Sequence, residues 1–172
     1  MPAKNVIKTY IENGFYHVYN RGVNKRSIFK DQLDYRVFLG FLKSYLSPPP
    51  NRKQLKHLIT MKGYSFHGVP HQHKNYSQEI SLFSYCLIPN HFHLLIKQVS
   101  KNSIEKFMRS LATRYVIYFN RRHGRLGPLF QNTYKAVLVD EEAYLLHLTA
   151  YIHRNPQEFW GKPLRDYPYS SY

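Results

Sequence analysis

Two histidines, His91 and His93, flank Phe92 at the start of an apolar run. The run continues as Leu94-Leu95-Ile96 and predicts a buried β-strand. Side chains alternate along a strand, so both imidazoles should lie on one face and Phe92 in the opposite layer. Such a pair can bind a divalent cation, although two strand histidines this close are more often structural than metal-bound. The chemistry therefore depends on a third ligand and a substrate.

A helix near the carboxyl end of the chain offers that ligand. Residues of an α-helix turn by about 100° each, which groups Leu145, Leu148 and Ile152 as a core stripe. Tyr151 and Asn155 fall beside this stripe, one turn apart. A cation held by two imidazoles and an amide oxygen keeps open positions for phosphate oxygens, and a phenol nearby could attack phosphorus. Periodicity alone explains Tyr151 equally well as a packing residue.

The composition points to a polyanionic partner. The 172 residues include 25 Lys and Arg against 10 Asp and Glu, a net charge of +15, together with 16 Tyr and 11 Phe. Aromatic rings among cations suit unpaired bases beside phosphates, although a small basic protein could also place these rings in its core. The arginines that we expect to bind DNA phosphates, or else to form a solvated face, are Arg21, Arg109, Arg114, Arg121, Arg122 and Arg125.

Length and cysteine content restrict the class of protein further. The chain is long enough for one domain spanning residues 1–172, and a second full domain is not expected. Its one cysteine, Cys86, cannot form an internal disulfide and lies in an apolar run. No signal segment and no membrane-spanning run is recognisable, so we expect a cytoplasmic protein.

The order of predicted elements indicates an α+β fold in which helices cover a mainly antiparallel sheet. Residues from about 47 to 78 form an irregular basic insertion that either contacts DNA or is simply solvated. Asn102 with Glu105 resembles a capping box, and Asp140 is the expected N-cap of the last helix. The predicted elements are strands at 14–22, 79–88, 91–98 and 134–139, and helices from Asp31 to Ser47, from Asn102 to about Gly124, and from Asp140 to Pro156.

Four ordered motifs resemble the REP-associated tyrosine transposases, which belong to the single-tyrosine HUH transposases. These motifs span residues 14 to 172 and are YHVYNRG at 16–22, LIPNHFHLLI at 87–96, YFNRRHG at 118–124 with LFQ at 129–131, and YIHRNP at 151–156.

The resemblance implies a role for each matching residue. His91 and His93 would be the metal ligands, Asn155 a further ligand and Tyr151 the nucleophile. It also implies a ferredoxin-like fold, Mg²⁺ or Mn²⁺ as cofactor, and single-stranded DNA with an REP-like hairpin as substrate. Such enzymes cut near the hairpin, leave a 5′-phosphotyrosine and a 3′-hydroxyl, and rejoin strands by the reverse step.

Several alternatives remain open at this stage. Tyr115 is a second possible nucleophile, although it lies on the apolar stripe of its helix. A plasmid replication initiator or relaxase uses the same paired histidines, and a non-catalytic protein could bind single-stranded nucleic acid on a similar sheet. A structural zinc site is poorly supported, because scattered histidines and one cysteine give no four-ligand spacing. The protein could act as a monomer or as a homodimer.

Overall fold

The structure is a computed structural model that describes residues 9–51, 55–69 and 72–172. Its elements in chain order are β1 Phe15–Arg21, α1 Gln32–Leu46, β2 His57–Met61, β3 Tyr64–Gly68, β4 Ile80–Ile88, β5 His91–Gln98, α2 Ser103–Arg122, β6 Lys135–Val139 and α3 Glu142–Arg154. Within these ranges, no helix combines the length and the apolar character that crossing a membrane requires.

The main sheet has four strands in the order β4-β5-β1-β6, and every neighbouring pair is antiparallel. This arrangement confirms the predicted α+β class with an antiparallel sheet flanked by helices. The register of β1 on β5 sets Tyr19 opposite His93 and Arg21 opposite His91. The end of β1 and the start of β5 therefore meet at the two histidines.

The alternation of side chains along β5 divides the core into two layers. Phe92 is buried with the residues of α1 and α2, and its ring centroid lies 5.3 Å from that of Phe38. Leu95 is buried on the other face with Leu148 and Ile152 of α3. Because His91 and His93 share the parity of Leu95, they belong to the α3 face, as the strand pattern predicts.

The ends of α1 and α2 are joined by charged side chains. The Asp31 carboxylate accepts from the backbone N–H groups of Leu33 at 2.9 Å and Asp34 at 3.2 Å, and so caps α1. The fully buried Asp34 carboxylate accepts from Arg122 at 2.6 Å and pairs with His123 at 3.0 Å. These contacts fix the layer that Phe92 enters.

The insertion contains a β-hairpin, β2 and β3, where the sequence predicts no regular element. Lys62 and Gly63 form its two-residue turn with φ of +50° and +84°, the left-handed backbone that favours a tight hairpin. Both faces of the hairpin are largely exposed. Because neither face packs against the core, the sequence lacks the alternation of polar and apolar residues that would have revealed the strands.

Two predicted helix caps are wrong. Asn102 occupies the N-cap position of α2 with helical backbone angles and makes no side-chain cap hydrogen bond. The turn before α2 is instead held by the hydroxyls of Ser100 and Ser103, which lie 2.8 Å apart. Glu141, rather than Asp140, occupies the N-cap position of α3, and its side chain makes no cap hydrogen bond.

Candidate active site

The rings of His91 and His93 lie side by side at the start of β5. Their centroids are 4.9 Å apart, and the ring planes cross at 78°. His91 is partly exposed, whereas His93 is buried. The predicted histidine pair is therefore present as a local cluster on the α3 face of the sheet.

The hydrogen bonds of His91 fix its tautomer. Its Nδ1 lies 2.7 Å from the carboxamide oxygen of Asn90, and this oxygen can only accept, so Nδ1 carries the proton. Burial lowers the pKa of His91, and the hydrogen bond that a protonated ring would donate to Asn155 opposes this shift. Because Nδ1 is engaged by Asn90, the unprotonated Nε2 is the nitrogen available to Asn155 and to a metal ion.

His93 has a histidine partner, His17, that the sequence patterns did not predict. Its Nδ1 lies 2.8 Å from Nε2 of His17 on β1. The other ring nitrogen of His93, Nε2, is buried and has no hydrogen-bond partner among the described residues. Burial lowers the pKa of His17 to about 4 and that of His93 to about 2, so both rings are neutral at physiological pH.

Tyr151 lies over this cluster from α3. Its ring centroid is 5.7 Å from that of His93 and 6.1 Å from that of His17, in edge-on contacts. The side chain is 52% exposed. The phenol is therefore beside the histidines and open to a large substrate, which is the arrangement that the helix pattern predicts.

Asn155 occupies the carboxyl end of α3, and its amide orientation is set by the helix. Nδ2 donates to the backbone carbonyls of Tyr151 at 2.9 Å and Ile152 at 3.2 Å. The side-chain oxygen is consequently the atom left to interact with His91. Pro156 follows in a 3-10 turn, Asn155–Glu158, so the proline ends α3 as predicted.

The lone pairs of this cluster fit a divalent cation. The unprotonated Nε2 of His91 and the oxygen of Asn155 are both hydrogen-bond acceptors, so only a proton or a cation between them can bring the two atoms into favourable contact. The orphaned Nε2 of His93 has the same need. Two imidazoles and an amide oxygen can bind a divalent cation, with phosphate oxygens completing the shell. Among the described residues, no group of three or more His, Cys, Asp or Glu side chains could hold a metal ion, so a cation here would depend on the Asn155 oxygen as its third protein ligand.

Three adjoining cavities surround the histidines and Tyr151. The loop cavity, of about 290 Å³, is lined by Tyr19, Asn20, Arg21, His91, His93, Gln131, Asn132, Thr133 and Lys135. The helix cavity, of about 460 Å³, is lined by His17, Tyr19, His93, Val137, Tyr144, His147, Leu148 and Tyr151. The turn cavity, of about 530 Å³, is lined by Ile88, His91, Tyr151, Arg154, Asn155, Gln157 and Glu158.

The predicted phosphate-binding arginines are divided between two regions. Arg21 lines the loop cavity. Arg122 pairs with Asp31 at 2.7 Å as well as with Asp34, so its charge is already used in joining the helices. The arginines that line none of the three cavities lie on α2 or just after it, and their contact with DNA stays a prediction: Arg109, Arg114, Arg121, Arg122 and Arg125.

Tyr115 lies in the core and not at the site. Its side chain is fully buried, and its hydroxyl donates to the carbonyl of Ile28 at 2.5 Å. Burial also raises its pKa. The alternative in which Tyr115 is the nucleophile is therefore wrong.

His17 could have been found only by combining two predictions. It lies between buried Tyr16 and Val18 and faces the opposite side of β1 from them. Its proximity to His93 follows once β1 is known to pair with β5 in the observed register. The sequence contains the alternation but not the register.

Comparisons with known proteins agree with the fold and the motifs. A profile of IS200-like transposases matches residues 51–155, which include the histidine pair, Tyr151 and Asn155. A solved REP-associated tyrosine transposase, bound to a REP hairpin, is 16% identical with a TM-score of 0.62, and the match covers 98% of this chain and 82% of that one.

A second solved structure, a protein of Deinococcus radiodurans R1 described as a transposase, is 13% identical with a TM-score of 0.47. The match covers 90% of this chain and 97% of that one. No curated protein matches the sequence.

Proposed function

Because the chain belongs to the IS200-like transposase family, we propose that it cleaves and rejoins single-stranded DNA near hairpins, with Tyr151 as the nucleophile and a divalent cation as cofactor. The observation that carries this proposal is the half-exposed Tyr151 ring in contact with His93. The fold alone would not support it, since many functions share one fold.

We propose that His91, His93 and Asn155 hold Mg²⁺ or Mn²⁺. When bound, such an ion would polarise the scissile phosphate and offset the charge that develops on it. The protein prepares the ligands in advance, because Asn90 fixes the tautomer of His91. His17 does the same for His93 if it accepts the proton of Nδ1 and leaves Nε2 free for the cation.

The proposed reaction exchanges one phosphodiester for another. Attack by the Tyr151 hydroxyl forms a bond between its oxygen and phosphorus and breaks the bond to the 3′ oxygen of the preceding nucleotide. The phenol loses its proton and the released 3′ oxygen gains one, so the step is balanced. The 5′ end of the downstream strand remains on Tyr151, and attack by a 3′-hydroxyl reverses the step.

The proposed substrate is single-stranded DNA that carries a hairpin of the REP type. The solved transposase of similar fold is bound to a REP hairpin. The net charge of +15 favours DNA binding of any sequence. We further propose that residues 1–172 act as one domain in the cytoplasm, as a monomer or a homodimer.

Covalent capture tests the proposal directly. Incubation of the protein with labelled hairpin DNA and Mn²⁺ should give a protein–DNA band that survives denaturation, and Tyr151→Phe should abolish it. Tyr144→Phe is a matched control, because Tyr144 is also an exposed tyrosine of α3 and lines the helix cavity. An adduct retained in Tyr151→Phe would place the nucleophile elsewhere. Metal-independent binding without any adduct would favour a non-catalytic nucleic-acid-binding protein.

A further inference from the structure

The loop cavity differs from its two neighbours in its relation to Tyr151. Tyr151 lines both the helix cavity and the turn cavity, but it does not line the loop cavity. The loop cavity adjoins the same two histidines from the side of β1 and β6. It is therefore separated from the phenol by the histidine pair.

The wall of the loop cavity is held by a buried amide. The Asn20 side chain, 8% exposed, donates from Nδ2 to the backbone oxygen of Asn132 at 3.0 Å. Its carboxamide oxygen accepts from the backbone N–H of Arg21 at 2.9 Å. The Arg21 guanidinium in turn donates to the Gln131 side chain at 3.1 Å. These bonds attach the loop before β6 to the end of β1 and fix the shape of the cavity.

Two side chains in this wall can bind a ligand. Asn132 and Thr133 are exposed, and within the described ranges their side-chain polar atoms have no hydrogen-bond partner. An amide that both donates and accepts, together with a hydroxyl, can match the edge of a nucleobase. By contrast, both polar atoms of the Asn20 amide already make hydrogen bonds that hold the wall.

The remaining lining supplies an aromatic ring and positive charge. The Tyr19 ring lines the cavity, and the Lys135 ammonium lies 5.7 Å from its centroid. Arg21 adds a second cation. A planar base beside a phosphate is the ligand class that suits a ring, two cations and free hydrogen-bonding groups together.

We propose that the loop cavity binds the nucleoside whose 3′ oxygen is released on cleavage, and that Asn132 and Thr133 select its base. This inference rests on the proposed function, because it takes Tyr151 as the nucleophile. In phosphoryl transfer the attacking and leaving oxygens lie roughly in line across phosphorus. A phosphate at the histidines, attacked from the Tyr151 side, directs its leaving 3′ oxygen toward the loop cavity, which is the one of the three adjoining cavities that Tyr151 does not line.

Binding of the released strand tests this assignment without any chemistry. The probes are short fluorescent single strands that end in a 3′-hydroxyl and differ only in their terminal base, and the protein carries Tyr151→Phe so that no adduct forms. Strands that end in one particular base should bind more tightly than strands that end in the other three. Addition of Asn132→Ala should weaken binding of that base by about 5- to 100-fold, the usual range for a lost base-edge contact, and should level the preference.

Two controls separate base selection from general binding. Gln157→Ala alters an amide in the turn cavity and should leave the terminal-base preference intact. Strands that differ in the penultimate base instead of the terminal base should give the same ratio of affinities with the Asn132→Ala protein as with its parent. Equal affinity for every terminal base, or a preference that survives Asn132→Ala combined with Thr133→Val, would overturn the assignment. A missing covalent adduct in the capture experiment would instead refute the proposed function.

Discussion

Substitution of His17 by phenylalanine should weaken metal binding although His17 is not a proposed ligand. His17 Nε2 is 2.8 Å from Nδ1 of His93. When His17 accepts the Nδ1 proton, it stabilises the tautomer of His93 whose Nε2 is free for the cation. Phenylalanine preserves an aromatic ring between Tyr19 and Tyr151, whose rings both contact His17. The change therefore removes one hydrogen bond with little loss of packing.

The size of the effect follows from burial. His93 is 4% exposed, so its Nδ1–H would lose its acceptor in a place that water does not reach. An unsatisfied buried donor costs about 1–3 kcal/mol. If that cost falls on the metal-binding tautomer, the affinity for Mn²⁺ drops by about 5- to 150-fold, which agrees with the roughly 10- to 100-fold effect of removing partners of metal ligands.

Free Mn²⁺ gives an electron paramagnetic resonance signal that bound Mn²⁺ largely loses, so titration measures affinity without DNA or catalysis. His17→Gln keeps an acceptor and should recover most of the affinity, whereas His67→Phe, on the exposed strand β3, should bind as the unaltered protein does. Equal Mn²⁺ affinity in His17→Phe and the unaltered protein, or equal losses in His17→Phe and His17→Gln, would refute this account.

Three further predictions concern stability. Arg122→Leu should lower the free energy of unfolding in urea, because it leaves the buried Asp34 carboxylate without its closest cation, and adding Asp34→Asn should recover part of the loss. Tyr115→Phe should cost about 1–2 kcal/mol through the unpaired Ile28 carbonyl, and normal adduct formation would confirm that Tyr115 is not the nucleophile. Burial lowers the pKa of His17 from 6.5 to about 4, so His17 should contribute on the order of 3 kcal/mol to the stability that the metal-free protein loses as the pH falls from 6.5 to 4. His93, whose pKa is also lowered, adds to this loss, because the unfolded chain binds protons that the folded chain does not. An equally steep pH dependence in His17→Phe, followed by urea denaturation, would contradict the last prediction.

The spacing of polar and apolar residues was sufficient to predict which face of an element carries the site residues wherever the other face is buried. The alternation around Phe92 predicted which face carries His91 and His93, and the helical stripe ending at Ile152 predicted that Tyr151 faces the same site. The hairpin of β2 and β3 was missed for the complementary reason. Both faces of the hairpin are exposed, so its strands do not need alternating polar and apolar residues, and the sequence shows no such alternation.

The residue types, their spacing and the face of each element that meets the core could be read from the sequence, because these features depend on the backbone periods of helix and strand. Which distant residues meet became known from the folded chain alone. The His17–His93 contact depends on the register of β1 against β5, the burial of Tyr115 depends on how α2 packs over Ile28, and the loop cavity depends on Asn20 holding residue 132. Each is a contact between residues far apart in the chain, and local periodicity contains no information about which of the possible partners the folded chain brings together.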